Sequence, residues 1–489
     1  MRLKQLIESL GSDTAYTVFK DFEVSGISCN SQGVSDNFIF VAIKGEDADG
    51  HKFIDEAIKR GTKAVIVSSQ WPVASGQERA VFIKVKDTRK ALAKLAAKFY
   101  GNPSAKIKVV GVTGTNGKTT ITYLLESLLK DSGFEPAVIG TVNYRFKNKT
   151  IPSGNTTPGP CQLQPLLADM AQEGINYAVM EVSSHALSQE RVEGIDFHSA
   201  IFTNLTQDHL DYHKTLENYF QAKARLFQGL SRGAFAVINN DDPYGRRIKG
   251  LIRGCKVVTY GIEEPSDIMA GDIKYGIAHT DFMLKGIKKE IHFKTRLIGR
   301  HNVYNVLASY AWAFQEGLNP ETIKSSLEGF DSVPGRLQRI GRDRDFSIFV
   351  DYAHTEDALK NVINALREVS DKRIIVVFGC GGGRDKTKRP KMGHTASELA
   401  DYVIITSDNP RNEDPEKIIR DIKKGIRKNN YFILPDRKEA IKKSLSLAQA
   451  GDMVLIAGKG HENYQVLKDK RIHFDDCEAV KECLELMNY

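Results

Sequence analysis

At 489 residues the chain exceeds what one hydrophobic core supports, and the usual size of about 100–200 residues per domain leads to an expectation of three or so domains. Hydrophobic residues at 41% and charged ones at 27% describe an ordinary globular protein and exclude a disordered or collagen-like chain. The 69 Lys and Arg against 61 Asp and Glu leave +8, scattered with no dense basic block and no basic stripe interleaved with aromatics, so small anions are expected partners and nucleic acid is not.

The stretch Met1–Leu10 carries Glu8 among its apolar residues and no small-residue cleavage site, unlike a signal peptide. No apolar run approaches the ~20 residues that span a bilayer, so the expected location is the cytoplasm, without membrane insertion. Six cysteines, at 29, 161, 255, 380, 477 and 483, lack paired metal-ligand spacing and read as reduced thiols. Up to residue 102 the runs 38–43 and 64–67 predict strands and 53–60 and 89–100 predict helices, ending at a linker near Tyr100-Gly101-Asn102-Pro103.

The second segment, 103–332, opens with Val109-Val110-Gly111-Val112-Thr113-Gly114-Thr115-Asn116-Gly117-Lys118-Thr119-Thr120. An apolar strand enters a glycine loop that ends in Gly-Lys-Thr and starts a helix, with Ile121, Leu124, Leu125, Leu128 and Leu129 at helical spacing. Glycines let backbone amides close on phosphate oxygens. Lys118 can reach the outer phosphates, Thr119 can offer a hydroxyl to a magnesium ion, and the helix start favours an anion. The strict phosphate-loop expression wants Gly where Val112 stands, so this is a variant loop for a nucleoside triphosphate. Further strands at 177–180, 200–203 and 234–238 run into Glu181, Asn204 and Asn239-Asn240-Asp241, polar residues placed where parallel sheets hold their ligands. From 333 onward the pattern repeats, with strands at 348–350, 374–378, 403–405 and 454–456. The expected fold is therefore α/β in three domains: a small α/β domain at 1–102, a central phosphate-loop parallel sheet with flanking helices at 103–332, and a Rossmann-like domain at 333–489.

Five motifs then follow in order: Gly114-Thr115-Asn116-Gly117-Lys118-Thr119-Thr120, Glu181-Val182-Ser183-Ser184-His185, Asn204-Leu205-Thr206-Gln207-Asp208-His209-Leu210-Asp211, Gly299-Arg300-His301-Asn302-Val303-Tyr304-Asn305, and Asp351-Tyr352-Ala353-His354. In them the chain resembles the Mur ligases across all three segments. The resemblance implies an ATP-dependent amide synthesis in peptidoglycan assembly. In it the terminal carboxylate of UDP-N-acetylmuramoyl-L-alanyl-D-glutamate becomes an acyl phosphate and an amino acid's amine displaces the phosphate. It implies that Lys118, Thr119 and Glu181 serve ATP and Mg2+, with Asn302, Asn305, Arg336 and Asp351 on the nucleotide. It further implies a second magnesium at His209, where Asp208-His209 is expected at the end of a strand, beside Lys223, carbamylated to an anionic ligand. A role for His185 stays open against a hydrogen-bonded structural histidine.

By the same resemblance Asn155, Thr156, Thr157, Ser183, Gln189 and Arg191 contact the nucleotide-sugar-peptide, and Cys29, Ser31, Glu46, Asp47 and Ala48 lie on its uridine side. The family usually has Asp-Ser-Arg where this chain has Asn30-Ser31-Gln32. Asp408-Asn409-Pro410-Arg411 resembles the motif of members that add meso-2,6-diaminopimelate; a guanidinium can clamp its second carboxylate with two parallel hydrogen bonds. Arg384, Gly458 and Glu462 complete that implied pocket. Gly383 stands where the family has Asp or Asn, and Glu356 where proline is common. The competing readings are an L-lysine-adding member, a folylpolyglutamate-synthetase-like ligase and a nucleotide-dependent switch or motor. A monomer is expected.

Overall fold

Apolar runs alternating with amphipathic helices fold into parallel sheets covered by helices. The computed structural model describes residues 1–489 except 12–13, 17–18, 46–47, 73–79, 287–288 and 487–489. The chain divides into two units, Met1–Ile268 with Leu307–Ile323, and Met269–Val306 with Lys324–Tyr489.

In the first unit, β1 (Ala15–Tyr16), β2 (Gly26–Ser28), β3 (Phe38–Val41), β4 (Ala64–Ser68) and β5 (Val81–Val85) form a sheet ordered β1-β5-β4-β3-β2, parallel except for β1. The expected helix near 89–100 spans Thr88–Phe99, because the Asp87 carboxylate accepts from the amides of Arg89 and Lys90 and caps it. The central strands are β6 (Lys108–Thr113), β7 (Pro136–Ile139), β8 (Asn143–Phe146), β9 (Lys149–Pro152), β10 (Tyr177–Glu181), β11 (Phe197–Phe202), β12 (Phe235–Asn239) and β13 (Lys256–Gly261). They lie in the order β9-β8-β7-β10-β6-β11-β12-β13, with only β8 and β9 antiparallel to their neighbours. β6 sits between β10 and β11, so successive connections leave it on opposite sides and open a crevice at its carboxyl end. The helix Lys118–Asp131 follows β6, and Ile121, Leu124, Leu125, Leu128 and Leu129 are its fully buried stripe.

β11 starts three residues before the expected Ala200. Two of the three extra residues are polar but partnered: the Trp312 indole donates to Ser199 Oγ at 2.8 Å, and His198 Nε2 donates to Glu316 Oε2 at 2.6 Å. Glu316 also accepts from Lys108 Nζ at 2.5 Å and Tyr177 OH at 2.8 Å. Burial works to raise its pKa, yet the three donors outweigh burial and hold it at about 2. A depressed carboxyl pKa stabilises above the unfolded value and the gain is lost as pH falls through the folded one. Glu316→Gln is therefore expected to lose on the order of 2 kcal/mol near pH 7. The difference from native should close as pH drops from about 4 toward 2, as followed by denaturant unfolding across pH.

In the second unit, β14 (Ile268–Tyr275), β15 (Thr280–Lys285) and β16 (Ile291–Thr295) pair antiparallel. A six-stranded sheet contains β17 (Gln338–Ile340), β18 (Ser347–Asp351), β19 (Ile374–Phe378), β20 (Tyr402–Ile405), β21 (Tyr431–Ile433) and β22 (Met453–Ala457), ordered β17-β18-β22-β19-β20-β21 and parallel except for β17. β23 (Tyr464–Leu467) and β24 (Lys470–His473) make a hairpin. Among the described residues no helix is long and apolar enough to cross a membrane.

Candidate active site

The loop after β6 is shaped by two glycines with positive φ, Gly114 at +150° and Gly117 at +89°. A Cβ on Gly114 would lie 1.8 Å from Thr203 Oγ1, so no larger residue fits. The residues after β11 staple the loop from outside: Thr203 Oγ1 donates to Asn116 O at 2.6 Å, the Asn116 amide to Asn204 Oδ1 at 3.0 Å, and the Thr115 amide to Asn204 O at 2.8 Å. Lys118 Nζ curls back onto the carbonyls of Gly114 at 2.9 Å and Thr115 at 2.8 Å. Thr119 and Thr120 start the helix within this cradle, both buried.

Glu181, 1% exposed at the end of β10, is the hub of the crevice. Its Oε1 accepts from Thr119 Oγ1 at 3.0 Å and from the Thr141 amide at 2.9 Å, and its Oε2 accepts from Thr141 Oγ1 at 3.0 Å. Thr141 was not among the expected residues, although it is the first polar side chain after β7 and so carries the signal that singled out Glu181. Thr141 Oγ1 lies 3.1 Å from Thr156 Oγ1, which joins the expected Asn155, Thr156 and Thr157 to the carboxylate. Thr157 Oγ1 donates to Glu181 O at 2.8 Å and accepts from the Ser183 amide at 3.0 Å. Arg191 donates to Thr157 O at 2.9 Å and to Gln189 Oε1 at 2.7 Å. Asn155 O accepts from Tyr144 OH at 2.5 Å.

Lys223 comes from the helix Leu216–Gln228, on its buried face, and is 1% exposed. Its Nζ donates to Gly114 O at 2.7 Å and lies 4.5 Å from the centre of the Tyr219 ring. Burial, with the Lys118 charge next in weight, drives its pKa well below the usual lysine value. His209 was expected at a strand end; it stands instead seven residues beyond β11, at the start of the short helix Leu210–His213, with a left-handed φ of +53°. Its ring centre is 4.8 Å from that of His185 and 6.1 Å from that of Tyr219. Burial lowers its pKa, and Lys118 and Lys223 add to the effect. His185 packs against Tyr212 with ring centres 4.3 Å apart and planes tilted by 43°, and His213 bonds Ser184 Oγ at 2.9 Å, its pKa pushed down to about 4 by burial.

Among the described residues no three His, Cys, Asp or Glu side chains gather as a metal-binding group. The expected set of Thr119, Glu181, His209 and Lys223 contains only two such residues. The Thr119 hydroxyl and Glu181 carboxylate, 3.0 Å apart at the mouth of the loop, are nonetheless the hard oxygen donors that suit magnesium.

Of the residues expected on the uridine side, Ser31 is buried and donates to Glu56 Oε2 at 2.9 Å, while Cys29 and Ala48 are exposed. Glu46 and Asp47 lie outside the described residues.

In the second unit, Asp351 is buried at the end of β18, its oxygens accepting from the amides of Leu337 at 2.7 Å and Ala353 at 2.8 Å. Arg336 stacks over Tyr352 at 4.9 Å, and Asn305 donates to Asn302 Oδ1 at 2.9 Å. After β20 come Asp408 and Asn409, both buried, then Pro410 and Arg411, the last with φ +52°. Asn409 Nδ2 donates to Glu462 Oε2 at 2.8 Å, and the fully buried Lys459 lies 3.5 Å from Glu462 and 3.8 Å from Asp408. Asp408 Oδ1 is buried without a hydrogen-bond partner, and Gly458 crowds the other oxygen, its missing Cβ 3.2 Å away. Arg411 Nη1 donates to Gly382 O at 2.8 Å; Arg384, two residues on, is exposed. The Asp408 and Glu462 carboxylates thus flank the buried Lys459 ammonium, which faces Asp408 Oδ1 without bonding it, and two arginines nearby suit a carboxylate.

Three family descriptions match the chain: the Mur ligase family catalytic domain at residues 23–100, the Mur ligase middle domain at 112–313 and the Mur ligase glutamate ligase domain at 335–460. A relative from Clostridium acetobutylicum, named UDP-N-acetylmuramoyl-L-alanyl-D-glutamate--2,6-diaminopimelate ligase 1, is 45% identical over 99% of both chains. Its namesake from Aquifex aeolicus is 45% identical over 94% of both. A solved structure of a 2,6-diaminopimelate ligase of the same name is 36% identical, with a TM-score of 0.71 over 95% of this chain and 96% of that one. Matched along nearly its whole length and folded in the same way, the chain belongs to the Mur ligase family.

Proposed function

We propose that this chain uses ATP to join meso-2,6-diaminopimelate to UDP-N-acetylmuramoyl-L-alanyl-D-glutamate, the activity its full-length relatives carry in their names. The observation that carries the amino-acid choice is that Arg411 follows the buried Asp408 and Asn409 on one turn after β20, with Glu462 of the segment after β22 bonded to Asn409. The three matched stretches support a division at residues 102 and 332 into uridine-side, ATP-side and amino-acid-side domains.

The phosphoryl group passes from ATP to a carboxylate oxygen of the D-glutamyl end, releasing ADP. The amine then bonds to the acyl carbon, phosphate leaves and a proton is lost. Loop amides and Lys118 hold the phosphates, and swinging Lys118 from its own carbonyls onto them exchanges two neutral acceptors for a charged one. Magnesium, when bound, neutralises phosphate charge during transfer, and Thr119 and Glu181 are the residues to hold it. Thr157, Ser183 and Arg191 orient the nucleotide-sugar-peptide beside them.

Lys223 fits a carbamate. A cation fully buried against a carbonyl and the Tyr219 ring, with a second lysine nearby, is costly despite the Asp208 charge, so the amine is favoured neutral. A neutral amine adds to carbon dioxide through its lone pair and loses a proton, giving an anion that attracts Lys118 and, with His209, can serve a second magnesium.

The test is ATP-dependent product formation with meso-diaminopimelate and L-lysine offered in parallel and the tripeptide detected by mass. The expected product contains diaminopimelate alone, and lysine product would transfer the chain to the lysine-adding reading. Arg411→Ala is expected to raise KM for diaminopimelate about ten- to a hundredfold, the worth of a lost charged hydrogen-bond pair, with KM for ATP unmoved.

A further inference from the structure

The segment that presents Arg384 is Gly381-Gly382-Gly383, with Gly383 at φ +62°, so its own sequence does little to fix where the arginine points. Its neighbours fix it instead. Glu413, two residues past Arg411, turns back so that its Oε1 accepts from the Gly383 amide at 2.6 Å. Arg389 Nη2 reaches both oxygens of that carboxylate at 3.0 Å. Arg389 is 1% exposed and also donates to Asp421 Oδ2 at 3.1 Å and Gly381 O at 3.4 Å, so the tether is anchored in the interior. On the opposite side the Gly382 amide donates to Asn409 O at 2.9 Å and Arg411 Nη1 donates to Gly382 O at 2.8 Å. A Cβ on Gly382 would meet Pro410 O at 1.9 Å, which is how closely the glycine loop lies on the turn.

We infer that Glu413, seated by the buried Arg389, is a positioning residue that braces the Arg384 loop against the Asp408-Asn409-Pro410-Arg411 turn and so sets selection for the distal carboxylate of the incoming amino acid. The inference rests on the diaminopimelate reading. Two guanidinium groups clamp one carboxylate well only when their loops are ordered before it arrives; an untethered glycine loop would surrender that order on each binding event.

The test uses the full chain with Glu413→Ala and Glu413→Gln, followed by steady-state kinetics and by hydrogen exchange of the 381–384 amides. In the alanine variant the buried Arg389 keeps Asp421, so its charge stays paired. The expected result for Glu413→Ala is a KM for diaminopimelate raised about tenfold, with kcat and KM for ATP within about twofold. Exchange of the Gly383 amide should quicken at least about tenfold. Glu413→Gln, whose amide oxygen still accepts from Gly383, should restore most of both. Unchanged KM with unchanged exchange overturns the inference, as does a parallel rise in KM for ATP and diaminopimelate. If the native chain forms no diaminopimelate product, the substrate reading fails, and the exchange comparison still decides whether Glu413 tethers the loop.

Discussion

Lys223→Ala is expected to lose ATP-dependent amide formation by about a thousandfold in kcat, and to regain part of it when a short-chain carboxylate such as acetate is added. The reasoning starts from burial. Lys223 is 1% exposed, hydrogen-bonded to the carbonyl of Gly114, and its pKa is driven well below the ordinary lysine value. In a site proposed to gather phosphates and magnesium, a neutral amine there contributes little and an anion contributes much. Truncation leaves a slot under the phosphate loop bounded by Tyr219, into which a free carboxylate can enter and supply the missing charge. Product detection by mass across a carboxylate titration reads both halves of the expectation. An alanine variant as active as the native chain would remove the carbamate from the scheme.

Glu181→Gln should be nearly as severe, lowering kcat about a hundred- to a thousandfold and shifting the magnesium dependence to higher concentration. The amide is isosteric, but its nitrogen is a donor. It would face either the Thr141 and Thr119 donors now satisfied by carboxylate oxygens, or the cation itself. Gly140 makes room for the side chain at this position, since a Cβ there would lie 2.5 Å from Glu181 Oε1. A magnesium titration of turnover, with thermal unfolding as a control for folding, separates a lost ligand from a lost fold. An unchanged magnesium profile would place the metal elsewhere.

Much of this architecture was legible because parallel strands buried on both faces write themselves as unbroken apolar runs: 374–378 appears as β19 with identical ends, and the helix after Lys118 buries the five residues its spacing named. Polar residues that pair inside the fold hid their roles. His198 and Ser199 fall outside the strand expected at 200–203, because their partners Glu316 and Trp312 lie more than a hundred residues away. His209 was placed at a strand end because Asn204 follows an apolar run; the intervening turn has no periodicity to betray its length. Thr141 was missed although it shares the strand-end position that exposed Glu181, and Glu413 could not be found at all, since its importance lies in one hydrogen bond across a glycine loop.

With Arg411 in its proposed role as carboxylate clamp, its left-handed backbone sets stability against selectivity. An L-residue with a side chain pays about 1–2 kcal/mol to sit there, whereas glycine or asparagine rests easily. A laboratory lineage bred only for heat tolerance would therefore drift toward glycine or asparagine at this position and discard its discrimination between amino acids in passing. Arginine persists there only while selection also weighs the composition of the product.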